Sequence, residues 1–182
     1  MGAINSIEFV KSAHASRFNH MIFVTVGTDM PFDRLVRIVD LWACEQRRTD
    51  VFAQIGEKGR EPAFLQFSRF LNPAEFNRRF ASASLIISHA GMGTILSALY
   101  FGKPILVMPR RASLGEQRNE HQLATAHRLL ELGKIDVAFD ENELRDKLNQ
   151  LNSLASKEKI GPFAGDELLR AVRTFIRNEM NA

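Results

Sequence analysis

What most constrains this chain is a regular alternation of short apolar runs with longer amphipathic stretches. Ile22–Val26 is a β-branched and aromatic run closed by Gly27, the pattern of a buried strand entering a loop. Pro31 opens a helix with Phe32, Leu35, Val36, Val39, Trp42 and Ala43 along one face. Val51–Ile55 is a second strand closed by Gly56, and Phe64–Phe67 a short third. Asn72-Pro73-Ala74-Glu75 reads as a helix start, with an Asn cap, Pro at the first position and Glu three residues after the cap. Ser84–Ser88 is a central strand, Gly93–Phe101 a helix and Pro104–Met108 a further strand. A longer helix runs from about Asn119 to Leu132 and is stopped by Gly133. Ile135–Phe139 is the last strand, and Asp140, with Glu143 at the box position, caps a helix carrying Leu144, Leu148 and Leu151. Strands separated by helices pair in parallel, with helices on both faces of the sheet. The expected fold is α/β and Rossmann-like.

In open sheets of this kind ligands bind beyond the carboxyl ends of the strands, where the strand order reverses. That rule singles out three polar loops: Gly27–Met30, His89–Thr94 and Pro109–Gln122. Composition narrows the field further. The 182 residues carry a net charge of only +3 with no basic run, which argues against nucleic acid as a partner. A single cysteine, Cys44, excludes an internal disulfide framework and a cysteine-pair metal site. It falls in an apolar helical pattern and is expected to pack inertly. No metal-ligand cluster is visible and no cofactor is implied.

From Ala81 to Gly102 the chain has no Asp, Glu, Lys or Arg, a length that would span a bilayer. Ser82, Ser84, Ser88, His89, Thr94 and Ser97 make that costly, and glycines interrupt it. The segment reads as strand, loop and helix, so no transmembrane segment is expected. Residues 1–20 read as a loosely ordered extension without a signal peptide, which makes the cytoplasm the expected compartment. A main domain over residues 21–160 and a C-terminal amphipathic helix over residues 161–182, read equally as packing on that domain or as gripping a partner, complete the expected organisation.

Ser88-His89-Ala90-Gly91-Met92-Gly93-Thr94 lies between a strand and a helix. Glycines allow close backbone approach, the helix start offers free N–H groups and a positive dipole end, and His89 and Thr94 add side-chain donors. These groups suit a diphosphate. The segment is neither a Walker loop nor the usual dinucleotide fingerprint, because the lysine and the glycine spacing are missing. The plainer alternative is a strand-to-helix turn with a satisfied core histidine, and the loop alone does not decide between them. A second segment, Gly115-Glu116-Gln117-Arg118-Asn119-Glu120-His121-Gln122, clusters carboxylates and amides suited to sugar hydroxyls. By itself it reads more readily as a capped, solvated helix start.

From Met21 to about Leu151 the chain resembles the C-terminal, donor-binding domain of family-28 glycosyltransferases, one half of a GT-B enzyme. It is most similar to split members: small subunits of bacterial two-component exopolysaccharide transferases, and of the dolichol-pathway UDP-N-acetylglucosamine transferase. Three motifs carry the resemblance in order. They are Ile22-Phe23-Val24-Thr25-Val26-Gly27-Thr28 with Pro31-Phe32-Asp33-Arg34-Leu35, then Ser88 to Thr94, then Pro109-Arg110-Arg111 with Gly115-Glu116, Asn119 and His121-Gln122.

The resemblance implies a UDP-sugar donor. It puts His89 and the amides of Gly91, Met92, Gly93 and Thr94 on the diphosphate, Glu116 and Asn119 near the ribose, and Gln122 on the transferred sugar. Gly27 and Thr28 would border the cleft where donor and acceptor meet. A ribose-binding Glu of related plant enzymes is replaced here by Ser97, which makes Glu116 the substitute candidate. Asp29 and Asp33 are the nearest carboxylates to the first loop, but both read as helix-entry residues. The catalytic base is therefore unassigned and expected on a second, membrane-associated, acceptor-binding subunit that recruits this chain to the inner face of the membrane. Arg110, Arg111 and Arg118 could face an acidic sugar, but the preferred reading is a solvated loop or a partner contact. A non-catalytic nucleotide-sugar adaptor or sensor stays open as an alternative. An epimerase, which shares the two-domain architecture, would need a longer chain.

Overall fold

The computed structural model describes residues 21–151 and 154. The proposed extension (1–20) and C-terminal helix (161–182) lie outside the described residues. Six strands, β1 (Ile22–Thr25), β2 (Val51–Gln54), β3 (Gln66–Ser68), β4 (Leu85–His89), β5 (Ile105–Met108) and β6 (Asp136–Val137), form one sheet. Its order is β3-β2-β1-β4-β5-β6, and every neighbouring pair is parallel. Among the described residues five α-helices accompany them, with none between β2 and β3: α1 (Asp33–Glu45), α2 (Pro73–Ser82), α3 (Met92–Phe101), α4 (His121–Glu131) and α5 (Glu141–Asn149).

The four inner strands are largely apolar on both faces because both faces are covered. Ile22, Val24, Ile87 and Leu106 pack under Leu35, Val36, Val39 and Trp42 of α1 and Leu144 and Leu148 of α5. Phe23, Ile86, Ile105 and Val107 pack under Phe80 of α2, Ile95, Ala98 and Leu99 of α3, and Ala126 of α4. Alternate residues of one strand thus serve opposite cores, the period-two consequence of the pleat. The uncharged stretch 81–102 is the end of α2, then β4, its loop and α3. Among the described residues no helix is long and apolar enough to cross a membrane.

Both capping expectations hold. Asn72 Oδ1 accepts from the Glu75 amide at 2.9 Å, and Asp140 Oδ1 from the Glu143 amide at 2.9 Å. Three boundaries shift for identifiable reasons. β3 begins at Gln66 because the Asp40 carboxylate on α1 takes the amides of Ala63, Phe64 and Leu65 at 2.9, 2.9 and 2.8 Å. Phe64 is therefore unavailable to the sheet ladder. α4 starts at His121, whose amide is bonded by Asn119 Oδ1 at 3.2 Å. α1 starts at Asp33, after Pro31 and Phe32, with no side-chain cap. Cys44 corrects the expectation of inert packing: it sits on the exposed side of α1.

Candidate functional site

Reversal of strand order falls between β1 and β4, so the loops after these strands stand side by side at the carboxyl edge. The loop after β1 turns at Gly27, whose φ of +76° requires glycine or strain. It is anchored from both sides. Gln54 on β2 donates Nε2 to the Gly27 carbonyl at 3.0 Å and accepts the Thr25 hydroxyl at 2.6 Å. Arg110, after β5, donates to the carbonyls of Val26 (2.8 Å) and Met30.

His89 ends β4 and its ring lies between two backbones. A Cβ on Gly27 would come within 2.9 Å of His89 Cε1, and one on Gly91 within 2.2 Å of Nε2. Gly91 is thus required by the imidazole, which corrects the reading that both loop glycines clear space for a ligand. Gly93 differs, since a Cβ there meets nothing within 4 Å. Burial, reinforced by the nearby Arg110 charge and opposed by the Thr25 backbone, pushes the His89 pKa down to about 4. The imidazole is neutral at pH 7 and can present one N–H as a hydrogen-bond donor.

Gly91 is the N-cap of α3 and brings no side-chain cap. Among the described residues none accepts from the amides of Met92, Gly93 and Thr94; the first helical bond at this end is Ile95 N–H to the Gly91 carbonyl at 3.1 Å. Those amides and the helix dipole make the edge of α3 favourable to an anion.

Gln122, in the first turn of α4, accepts the Arg110 amide at 3.2 Å through Oε1. Because a backbone N–H can only donate, the orientation of this side-chain amide is set, and Nε2 remains as a donor toward the cleft.

The cleft has two connected halves. A polar cavity of about 270 Å³ is lined by Thr28, Asp29, His89, Arg110, Gln117 and Gln122. A largely apolar one of about 460 Å³ lies between α2 and α3, with Phe70, Leu71, Pro73 and Phe76 on its walls and Ser97 on α3. Gly27, Thr28, Gly93 and Thr94 border both.

The structure therefore brings together Gly27, Thr28, His89, Gly91, Gly93, Thr94 and Gln122 of the expected set. Met92 lines neither half, and its side chain is exposed. Glu116 and Asn119 do not line either half. Glu116 turns onto Arg34, with Nε and Nη2 contacts of 2.7 and 2.8 Å, and Asn119 holds the start of its own helix.

Arg110 is a correction: it is 1% exposed and belongs to the cleft, not to a solvated loop or a partner contact. Arg111 donates to the Phe139 carbonyl at 2.6 Å, whereas Arg118 is exposed. Asp33 is engaged by the Arg60 amide at 2.9 Å; Asp29, ahead of the helix start, faces the cleft. The apolar half escaped sequence reasoning, because Phe70 and Phe76 look like core residues. The available signal was Phe70, a large apolar residue in a polar turn, which is 60% exposed. Among the described residues no group of three His, Cys, Asp or Glu side chains is placed to hold a metal ion.

An all-parallel open sheet with an anion-suited cleft at its order reversal defines a Rossmann-like α/β domain. The chain belongs to the glycosyltransferase family 28 C-terminal domain family, whose model matches residues 21–161. No curated protein matches the sequence.

Solved structures share the fold at low identity. ALG13 is 20% identical with a TM-score of 0.54, over 85% of this chain and 94% of that one. MurG of Acinetobacter baumannii is 19% identical with a TM-score of 0.51, over 76% and 43%. A putative UDP-N-acetylglucosamine 2-epimerase from Listeria monocytogenes is 12% identical with a TM-score of 0.56, over 91% and 48%. The chain spans less than half the length of the latter two.

Proposed function

We propose that this chain is the UDP-sugar-binding subunit of an inverting glycosyltransferase, completed by a second, membrane-associated polypeptide that brings the acceptor. Family membership supports the reaction class. The observation that carries the ligand is the two-part cleft meeting at the unpaired first turn of α3. A diphosphate seats on the amides of Met92, Gly93 and Thr94, with the neutral His89 as an additional donor. From there a planar base extends into the apolar half against Phe70, Leu71 and Phe76. Ser97, one turn into α3, lies on the wall between base and diphosphate and takes the ribose role that Glu116, committed to Arg34, does not fill. The sugar extends the other way, toward Gln117 and the free Nε2 of Gln122.

Chemically, this arrangement stabilises a departing diphosphate, the electrostatic half of an inverting transfer. The other half is a base that takes the acceptor proton. Asp29 is the carboxylate at the polar rim, and the reading leaves the base and the acceptor pocket to the partner. The same resemblance that implies the partner supports a lipid-linked or polysaccharide acceptor and a setting at the cytoplasmic face of a membrane.

Calorimetry tests donor binding. Gln122→Ala is expected to weaken UDP-sugar affinity roughly ten- to a hundredfold, the loss of one or two polar contacts. Wild-type protein that ignores UDP and UDP-sugars alike would sink the assignment.

A further inference from the structure

Two motifs far apart in the chain meet in one cluster behind the cleft. Arg34 on α1 pairs in bidentate fashion with Glu116 at 2.7 and 2.8 Å and donates to the Pro109 carbonyl at 3.3 Å. Glu116 Oε2 also accepts the Arg111 amide at 3.0 Å. The guanidiniums of Arg34 and Arg110 each lie 5.3 Å from the centroid of the buried Phe32 ring. Arg110, itself 1% exposed, reaches the carbonyls of Val26 and Met30, the two ends of the loop that carries Gly27, Thr28 and Asp29. Its own amide orients Gln122.

Burying a guanidinium is unfavourable unless its donors are used, and Arg110 spends one nitrogen, Nη2, on both carbonyls while its buried Nε has no hydrogen-bond partner among the described residues. An apolar side chain of similar volume would fill the space without that cost. What it could not do is tie two carbonyls across a loop that turns at a positive φ.

We propose that Arg110 is a positioning residue: it ties down the Gly27–Met30 loop beside His89 and so shapes the cleft, with Phe32, Arg34 and Glu116 as its brace. That this cleft takes a UDP donor rests on the function proposed above; the clamp itself rests on the geometry. Arg110 also adds its charge to burial, the larger influence on His89 at the cleft floor. It approaches His89 from the loop after β5, Asp29 faces the same cavity from the loop after β1, and the first turn of α3 carries no charged side chain. Burial and Arg110 together keep the imidazole neutral down to about pH 4.

Arg110→Met and Arg110→Lys separate tether from charge. Amide hydrogen exchange at residues 26–30, the NMR titration of the His89 ring and UDP calorimetry are measured on each folded variant. Arg110→Met is expected to speed exchange of the loop amides by about tenfold or more, with β2 and β4 unchanged. It should also raise the His89 midpoint from about 4 toward the ordinary 6.5 and weaken UDP about tenfold. Lysine restores the charge, but its side chain is one atom shorter than the one that carries Nη2 to both carbonyls, so it should return the low His89 midpoint while the loop still exchanges fast. Wild-type exchange and titration in Arg110→Met would overturn the proposal, as would full rescue of both by lysine. If Arg110→Met does not fold, Glu116→Gln loosens the brace and should speed loop exchange in the same direction; no change there overturns the clamp. A wild-type protein that fails to bind UDP overturns the donor reading alone, because exchange and titration need no ligand.

Discussion

His89 occupies a space that Gly27 and Gly91 leave for it, and this explains why two glycines of the loop motif are not equivalent. Gly91→Ala must push the imidazole aside, since the new Cβ would meet Nε2 at 2.2 Å; about 1–3 kcal/mol of stability should be lost, the usual range for overpacking, read from denaturant midpoints. Gly93→Val meets no protein atom near its Cβ, so its melting temperature should drop little beyond the cost of valine in a helix. Its UDP affinity should nevertheless collapse, and a variant that binds UDP normally would show that no phosphate sits there. His89 also links stability to pH. The unfolded imidazole titrates near 6.5 and the folded one near 4, so between these values the unfolded chain binds the proton first. Its contribution is complete above pH 6.5 and is lost as the pH falls through 4. His89→Gln should flatten that part of the stability profile. The motif was legible in sequence, but the packing between its His and Gly91 was not, because a one-dimensional spacing does not say which way a ring turns.

At the scale of elements, local chemistry was readable and distant chemistry was not. The caps at Asn72 and Asp140 were visible because donor and acceptor lie three residues apart. Asp40 gave no such sign, since the amides it takes are 23 to 25 residues away. Its carboxylate, 8% exposed, is what ends the preceding loop and sets where β3 begins. Asp40→Ala leaves three amides without their acceptor, and charged hydrogen bonds of this kind contribute about 1.5–3 kcal/mol each in isolation. Because water can reach part of the loop, a total loss of about 2–4 kcal/mol is expected, measured by urea denaturation, with faster amide exchange at Ala63, Phe64 and Leu65. The pairing of Arg34 with Glu116 spans 82 residues and was invisible for the same reason. A carboxylate among amides in a polar loop looked like a ligand-binding group, and an arginine pair in the same loop looked solvated.

For the whole molecule, the alternation of elements conveyed the parallel sheet, while the reversal of order between β1 and β4 required the structure. That reversal puts every proposed binding group on one edge and supplies one wall of a cleft. An isolated wall can hold a donor, but the proposed reaction requires a second surface carrying an acceptor. Purified chain is therefore expected to bind UDP-sugar and to show negligible transfer, with activity appearing on co-expression with the partner. Full transfer by the chain alone would refute the divided-enzyme reading.

The edge also has a history during synthesis. Groups that line the polar cavity run from Val26 to Gln122, and the central pairing joins Ile22 to Leu85. A ribosome-bound chain that has emerged only through β4 has an incomplete pocket, so nucleotide cannot guide its early collapse. Under the proposed donor site, ligand selects only molecules in which both halves of the sheet have already closed, and UDP-dependent protection from proteolysis is then expected to report finished folding.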